Sequence, residues 1–116
     1  MTHHTLNYVE FAAADLAATQ AFFESAFGWQ FQSYGPEYVA FCESGLEGGF
    51  FQSNLVASQA QGAPLLVLYS DDLEQTQQVV EQAGATINKA IFSFPGGRRF
   101  HFIEPSGNEL AVWSDK

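Results

Sequence analysis

Apolar residues follow two rhythms along this chain, and each rhythm occurs twice. From Asp15 to Gly28, Leu16, Phe22, Phe23, Ala26 and Phe27 share one side with Thr19, the 3.6-residue period of an amphipathic helix. Asp15 is placed to cap its first turn with a carboxylate. Gly28 is placed to end it in the left-handed conformation that glycine adopts cheaply. The same word returns 57 residues later: Asp15, Leu16, Thr19, Gln20, Glu24 and Ala26 recur as Asp72, Leu73, Thr76, Gln77, Glu81 and Ala83, with Phe22-Phe23 replaced by Val79-Val80 and Gly84 closing the helix. A repeat of this period in a chain this short predicts two similar modules side by side.

Around each helix the period falls to two, as expected of half-buried strands. Leu6–Ala12 sends Leu6, Tyr8 and Glu10 one way and Asn7, Val9 and Phe11 the other. Further strands are predicted at Trp29–Tyr34, Tyr38–Glu43 and Glu47–Ser53, divided by Gly35-Pro36 and Ser44-Gly45. Asn54–Ala63 is small, polar and aperiodic, and reads as a linker. Pro64–Ser70, Thr86–Phe94, Arg98–Ile103 and Glu109–Ser114 are the second set of strands, with turns at Pro95-Gly96-Gly97 and Pro105–Asn108. The last strands also match, Ser44–Phe51 against Ser106–Trp113, at a spacing of 62. The expectation is an α+β domain over residues 1–116, built from two βαβββ modules at about 5–54 and 64–115.

Composition narrows the partners. Thirteen acidic residues against four basic ones leave a net charge of −9. That disfavours nucleic acid, which needs clustered Lys and Arg, and anionic membrane surfaces. It would attract a cationic small molecule, although ordinary solubility accounts for it as well. Twelve Phe and two Trp are enough to fill a core, or to fill a core and wall a cavity. The single cysteine, Cys42, excludes an intramolecular disulfide and a cysteine-rich zinc site. It sits in an alternating apolar run and reads as a buried thiol in a reducing cytoplasm. No secretory leader pattern opens the chain, and no apolar run approaches the roughly 18 residues of a membrane span. His3-His4 is equally readable as native sequence or as the remnant of a tag.

Two stretches carry a family resemblance: YVEFAAADLAATQAFFESAFGW near the start and FHFIEPSGNELAVW at the end. They resemble the vicinal oxygen chelate superfamily of glyoxalases, bleomycin-resistance proteins and extradiol dioxygenases. The shared features are the opening strand, the Asp-Leu helix start, the aromatic pair, the Phe-Gly-Trp exit and the turn into the last strand, with Glu104 where that family has Asp. The resemblance implies two modules around a curved mixed-sheet cleft, with the helices outside. It implies function only weakly, because the fold serves isomerases, dioxygenases, lyases and plain binders. In the family's metal-using members the ligands stand seven residues before each helix-starting Asp and four after each turn glycine. Those positions here are Tyr8, Leu65, Gly49 and Ala111. None is a histidine or a carboxylate, so no metal site and no cofactor are expected.

The residues expected to bind a ligand are Tyr8, Glu10, Gly49, Phe51, Leu65, Tyr69, His101, Glu109, Ala111 and Trp113. Val67 and Glu47 share their side of the strands. Glu10 lies mid-strand among apolar residues and is the candidate general base; buried there, it would need a partner or a raised pKa. His101 reads as a cavity-facing residue or as a hydrogen-bonded sheet histidine. Three functions stay open. The first is a metal-free binder of an aromatic or cationic small molecule, working as a homodimer because chains of this family often complete their clefts across an interface. The second is a lactoylglutathione lyase- or dioxygenase-type enzyme with a displaced metal set of Glu10, Glu47 and Glu109. The third is a partner-binding module with a filled cleft.

Overall fold

The computed structural model describes residues 1–116. The first module runs β1 (Tyr8–Ala13), α1 (Leu16–Phe27), β2 (Gln30–Ser33), β3 (Tyr38–Cys42), β4 (Glu47–Gln52). The second runs β5 (Val67–Tyr69), α2 (Leu73–Gln82), β6 (Thr86–Phe94), β7 (Gly97–Ile103), β8 (Glu109–Ser114). Each module forms its own four-stranded sheet, in the orders β1-β4-β3-β2 and β5-β8-β7-β6. In each, the helix carries the chain across to let the first strand pair in parallel with the last, while the other pairings are antiparallel. The repeat in the sequence is thus a repeat of topology.

The helix ends follow the predicted chemistry. Asp15 and Asp72 accept from the backbone N–H groups of Ala18 and Gln75, at 3.0 and 3.1 Å. Gly28 ends α1 at φ 72°, while α2 ends at Ala83 in right-handed geometry and Gly84 takes the positive φ one residue later. The predicted strand Pro64–Ser70 shortens to Val67–Tyr69. The linker is less idle than its composition suggests. Ala57 accepts from the Glu109 N–H, Gln59 donates to Glu109, and Gln59–Gln61 makes one 3-10 turn. This segment therefore covers the start of β8, where β5 does not reach.

Alternation decides which face of each sheet is buried. Phe11, Ala13, Val39, Phe41 and Phe50 of the first sheet and Phe100, Phe102, Leu110 and Val112 of the second join Phe22, Phe23, Leu73 and Val80 of the helices in one core. Phe22 of α1 packs on Phe102 of β7 with ring centroids 5.7 Å apart, so both helix-backed faces share that core. The opposite faces of the two sheets are left open. They carry exposed Tyr8, Phe51, Val67, Tyr69 and Phe92.

A buried polar knot ties the modules together at the β1–α1 junction. Glu104, 2% exposed, accepts from the Thr19 hydroxyl at 2.7 Å, from the Ser106 N–H at 2.5 Å and from Asn108 Nδ2 at 3.1 Å. Asn108 also donates to the Ala12 carbonyl at 2.8 Å and accepts from the Ala57 N–H at 2.9 Å. Burial pushes the Glu104 carboxyl above its ordinary range, against the pull of these donors. Two outcomes follow. Asn108→Ala leaves several buried groups unpaired and lowers stability by about 3 kcal/mol in urea unfolding. A raised carboxyl favours folding most when protonated, so wild type gains stability relative to Glu104→Gln as pH falls through the folded-state pKa toward the ordinary carboxylate range, and loses that gain as pH rises back through the folded-state pKa.

Candidate functional site

On the first sheet the open face is a cluster of phenols and carboxylates. Strand alternation turns Val9 and Phe11 inward and leaves Tyr8 and Glu10 outward. Gly49 lies beside Glu10 on one side and Ala40 on the other. Tyr38, two residues before Ala40, leans along this face so that its hydroxyl takes the space above Gly49; a Cβ there would collide with it. The Tyr38 hydroxyl donates to Glu10 Oε2 at 2.9 Å and shares a 2.5 Å hydrogen bond with the Tyr8 hydroxyl. Burial, then the bonds to Tyr8 and Glu10, hold the Tyr38 phenol well above the ordinary tyrosine range. A pocket of about 500 Å³ opens beside this cluster, walled by Tyr8, Phe31, Tyr34, Tyr38, Cys42 and Glu47. No lysine or arginine lines it.

The open face of the second sheet is built differently. Glu109 and Ala111 of β8 and His101 of β7 are buried, the histidine completely. His101 Nδ1 lies 2.8 Å from Glu109 Oε2, which also accepts from Asn88 Nδ2 at 3.0 Å; Oε1 accepts from the Gln59 N–H at 2.9 Å. Burial alone would raise the Glu109 carboxyl, but these donors outweigh it and bring it down to about 2. Tyr69 and Trp113 meet edge to face at 5.3 Å, and the Tyr69 hydroxyl donates to Asp115 at 2.6 Å, which pushes its own pKa up to about 12.

A third feature escaped the sequence reading. A groove of about 480 Å³ runs between the unpaired edges of β1 and β5, walled by Val9, Phe11, Trp29, Phe41, Leu66 and Leu68. These are core-facing residues by their period, and no periodic signal distinguishes a core residue beside a groove from one beneath a helix.

The structure therefore divides the expected site. Tyr8, Glu10, Gly49 and Phe51 stand together on the first sheet, and Tyr69, His101, Glu109, Ala111 and Trp113 on the second. No pocket of the single chain draws on both sets. Leu65 precedes β5 and lines neither pocket. Glu10 is exposed rather than buried, with Tyr38 as its partner. Glu47 shares its sheet, but Glu109 is locked to His101 on the other, so the three carboxylates do not converge. No group of three His, Cys, Asp or Glu side chains is placed to hold a metal ion. The donor set does not fit one either: Tyr8 is engaged with Tyr38, Gly49 lies under a phenol, and Leu65 and Ala111 carry no donor. Cys42 is half-buried on the open face beside the first-sheet pocket, not in the core. His101 makes a hydrogen bond through Nδ1 to Glu109, and its Nε2 has no partner. Tyr38 and Tyr34 were missed. The alternation Tyr38, Ala40, Cys42 on β3 could have found the first, because its small partners leave room for a large side chain to lie along the face.

Paired βαβββ modules, each with a helix-backed sheet and one open face, define a class of small two-module α+β proteins. The chain belongs to the Glyoxalase/Bleomycin resistance protein/Dioxygenase superfamily, whose family model matches residues 5–112. Its fold is similar to that of a glyoxalase/bleomycin resistance protein/dioxygenase family enzyme from Burkholderia phytofirmans, with a TM-score of 0.78 at 20% identity over 96% of this chain and 98% of that one. It is also similar to lactoylglutathione lyase from Agrobacterium tumefaciens, with a TM-score of 0.71 at 18% identity over 98% and 96% of the two chains. A fosfomycin resistance protein from Listeria monocytogenes matches with a TM-score of 0.79 at 14% identity over 97% and 94%. At these identities the likeness is one of fold alone. No curated protein sequence is similar enough to count as a relative. No helix is long and apolar enough to cross a membrane.

The packing over Gly49 is directly testable. Gly49→Ala drives the Tyr38 hydroxyl away from Tyr8 and Glu10. The highest of the four tyrosine ionisations, held up by burial and these bonds, then moves down toward the ordinary value near 10 in an ultraviolet pH titration. An unchanged titration would show that Tyr38 does not occupy that space.

Proposed function

We propose that this chain is a small-molecule-binding member of its superfamily that works without a divalent metal, and that it takes a cationic or aromatic ligand on the open face of the first sheet. The observation that carries the reading is the pocket beside Tyr8, Tyr34 and Tyr38. Phenol rings wall it, Glu47 lines it, Glu10 stands next to it and no side-chain cation enters it. Aromatic faces and carboxylates together stabilise an organic cation, by about 0.5–2 kcal/mol per well-placed ring. The net charge of −9 draws such a ligand in. Gly49 supports the metal-free reading, because Tyr38 fills the place where a metal-binding side chain would stand.

The protein acts as a homodimer in this proposal. Both open faces expose large apolar side chains, and β1 and β5 each keep one edge unpaired. A second copy could cover these features and bring the first sheet of one chain toward the second sheet of the other. The half-buried free thiol of Cys42 at the pocket suits a reducing cytoplasm.

The test pairs light scattering with calorimetric titration of phenyltrimethylammonium. The expected result is a dimer that binds the probe saturably, with affinity falling about tenfold in Tyr38→Ala. Failure of the probe and of neutral aromatic analogues to bind the wild-type protein would overturn the ligand reading. Stoichiometric uptake of nickel, zinc, manganese or iron with the appearance of turnover would replace it with the enzyme reading.

A further inference from the structure

Only two buried side-chain nitrogens or oxygens in the chain lack a hydrogen-bond partner: Arg99 Nε and His101 Nε2. They lie two residues apart on the same face of β7. Buried polar atoms are almost always paired, and an unpaired one in a folded protein needs a reason. Two of them side by side share a reason more economically than they have two.

Their surroundings are short of anionic partners. The ion pairs of the chain join Arg98 to Glu74, His101 to Glu109 and Lys116 to Asp71. With thirteen acidic residues available, Arg99 is paired with none of them. Its guanidinium instead lies over the rings of Phe92 and Phe94, at 5.3 and 5.6 Å. Lys89, also outside any ion pair, stands opposite His101 in the β6–β7 ladder. Two irregularities in the register, between Ile87 and Lys89 and between Lys89 and Phe92, bring Phe92 opposite Arg99. Bulges of this kind re-aim side chains. The Phe92 ring borders both orphan groups, 5.9 Å from the His101 ring and 5.3 Å from the Arg99 guanidinium, and is 36% exposed at the surface of this face. Two acids are near: Glu109, bound on the far side of His101, and Asp115, bound to the Tyr69 hydroxyl.

The geometry points to an oxyanion subsite on the open face of the second sheet, in which Arg99 and His101 bind the acid group of an aryl carboxylate or aryl phosphonate. Arg99 donates Nε–H to one oxygen. His101, oriented by its Nδ1 bond to Glu109, turns Nε2 toward a second oxygen of the acid group. The aryl part rests on Phe92, Tyr69 and Trp113, which offer apolar walls with two exposed rings. Glu109 is thereby a positioning residue. The subsite lies on the other sheet from the phenol pocket and does not depend on the cation reading of that pocket.

The test is a titration of the wild-type protein with benzoate and phenylphosphonate, read from the imidazole nitrogen resonances of His101 and the indole resonance of Trp113. Benzylamine and inorganic phosphate are the controls. Saturable shifts at both residues with the two aryl acids, absent with benzylamine and weaker with inorganic phosphate, are the expected result. Arg99→Gln should weaken binding at least about tenfold, Arg99→Lys less, and Arg98→Gln not at all, since Arg98 serves Glu74. No shift at His101, equal shifts with benzylamine, phosphate binding as tight as phenylphosphonate, or full affinity in a folded Arg99→Gln would each overturn the proposal. The wild-type spectra decide the matter even where the Gln variant does not fold.

Discussion

Two sheets that each bury one face in a common core must be held in one relative position, and in this chain that position depends on the knot around Glu104. Apolar packing of Phe22 and Phe27 on Phe102 supplies adhesion between the modules but little direction. The hydrogen bonds of Glu104 and Asn108 supply the direction. They join the end of β7 and the start of β8 to Thr19 on α1, to the Ala12 carbonyl on β1 and to the linker at Ala57. A buried carboxylate is costly unless its oxygens are satisfied, so the arrangement tolerates few alternatives. The open faces point where they do because this knot and the core between them leave the sheets no other side to bury.

The two open faces have opposite chemistry. The first presents hydroxyls and carboxylates with no cation, centred on Tyr8, Glu10 and Tyr38. The second presents Arg99 among aromatic rings, with His101 anchored by an ionised Glu109. A repeat in the chain has thus produced two copies of one scaffold with divergent surfaces. The glycine and alanine at equivalent ladder positions, Gly49 and Ala111, have different surroundings for the same reason. Gly49 is covered by a phenol from its neighbouring strand, while Ala111 is buried beside His101.

Most of the scaffold was legible in the residues, because it rests on local and periodic signals. The capping carboxylates of Asp15 and Asp72 and the alternation on β1 and β8 act over a few residues, and a repeat of 57 places them twice. The site was legible only in part. Period two assigned Tyr8, Glu10, Glu109 and Ala111 to their faces correctly, but it carries no information about how far one face lies from another. Glu10 and Glu109 looked like neighbours for that reason, and they belong to separate sheets.

The sequence by itself determined the two βαβββ modules, the carboxylates that cap their helices, the faces of their strands and the absence of histidine and carboxylate at Tyr8, Gly49, Leu65 and Ala111, because all of these are properties of residue type and spacing. Only the tertiary structure decided that Tyr38 lies over Gly49, that the small, polar linker crosses to Glu109, that His101 is sealed with one nitrogen unpaired, and that the two open faces do not meet within one chain. Each of those outcomes depends on which distant segments share space, and that is settled by packing around a common core rather than by any local pattern.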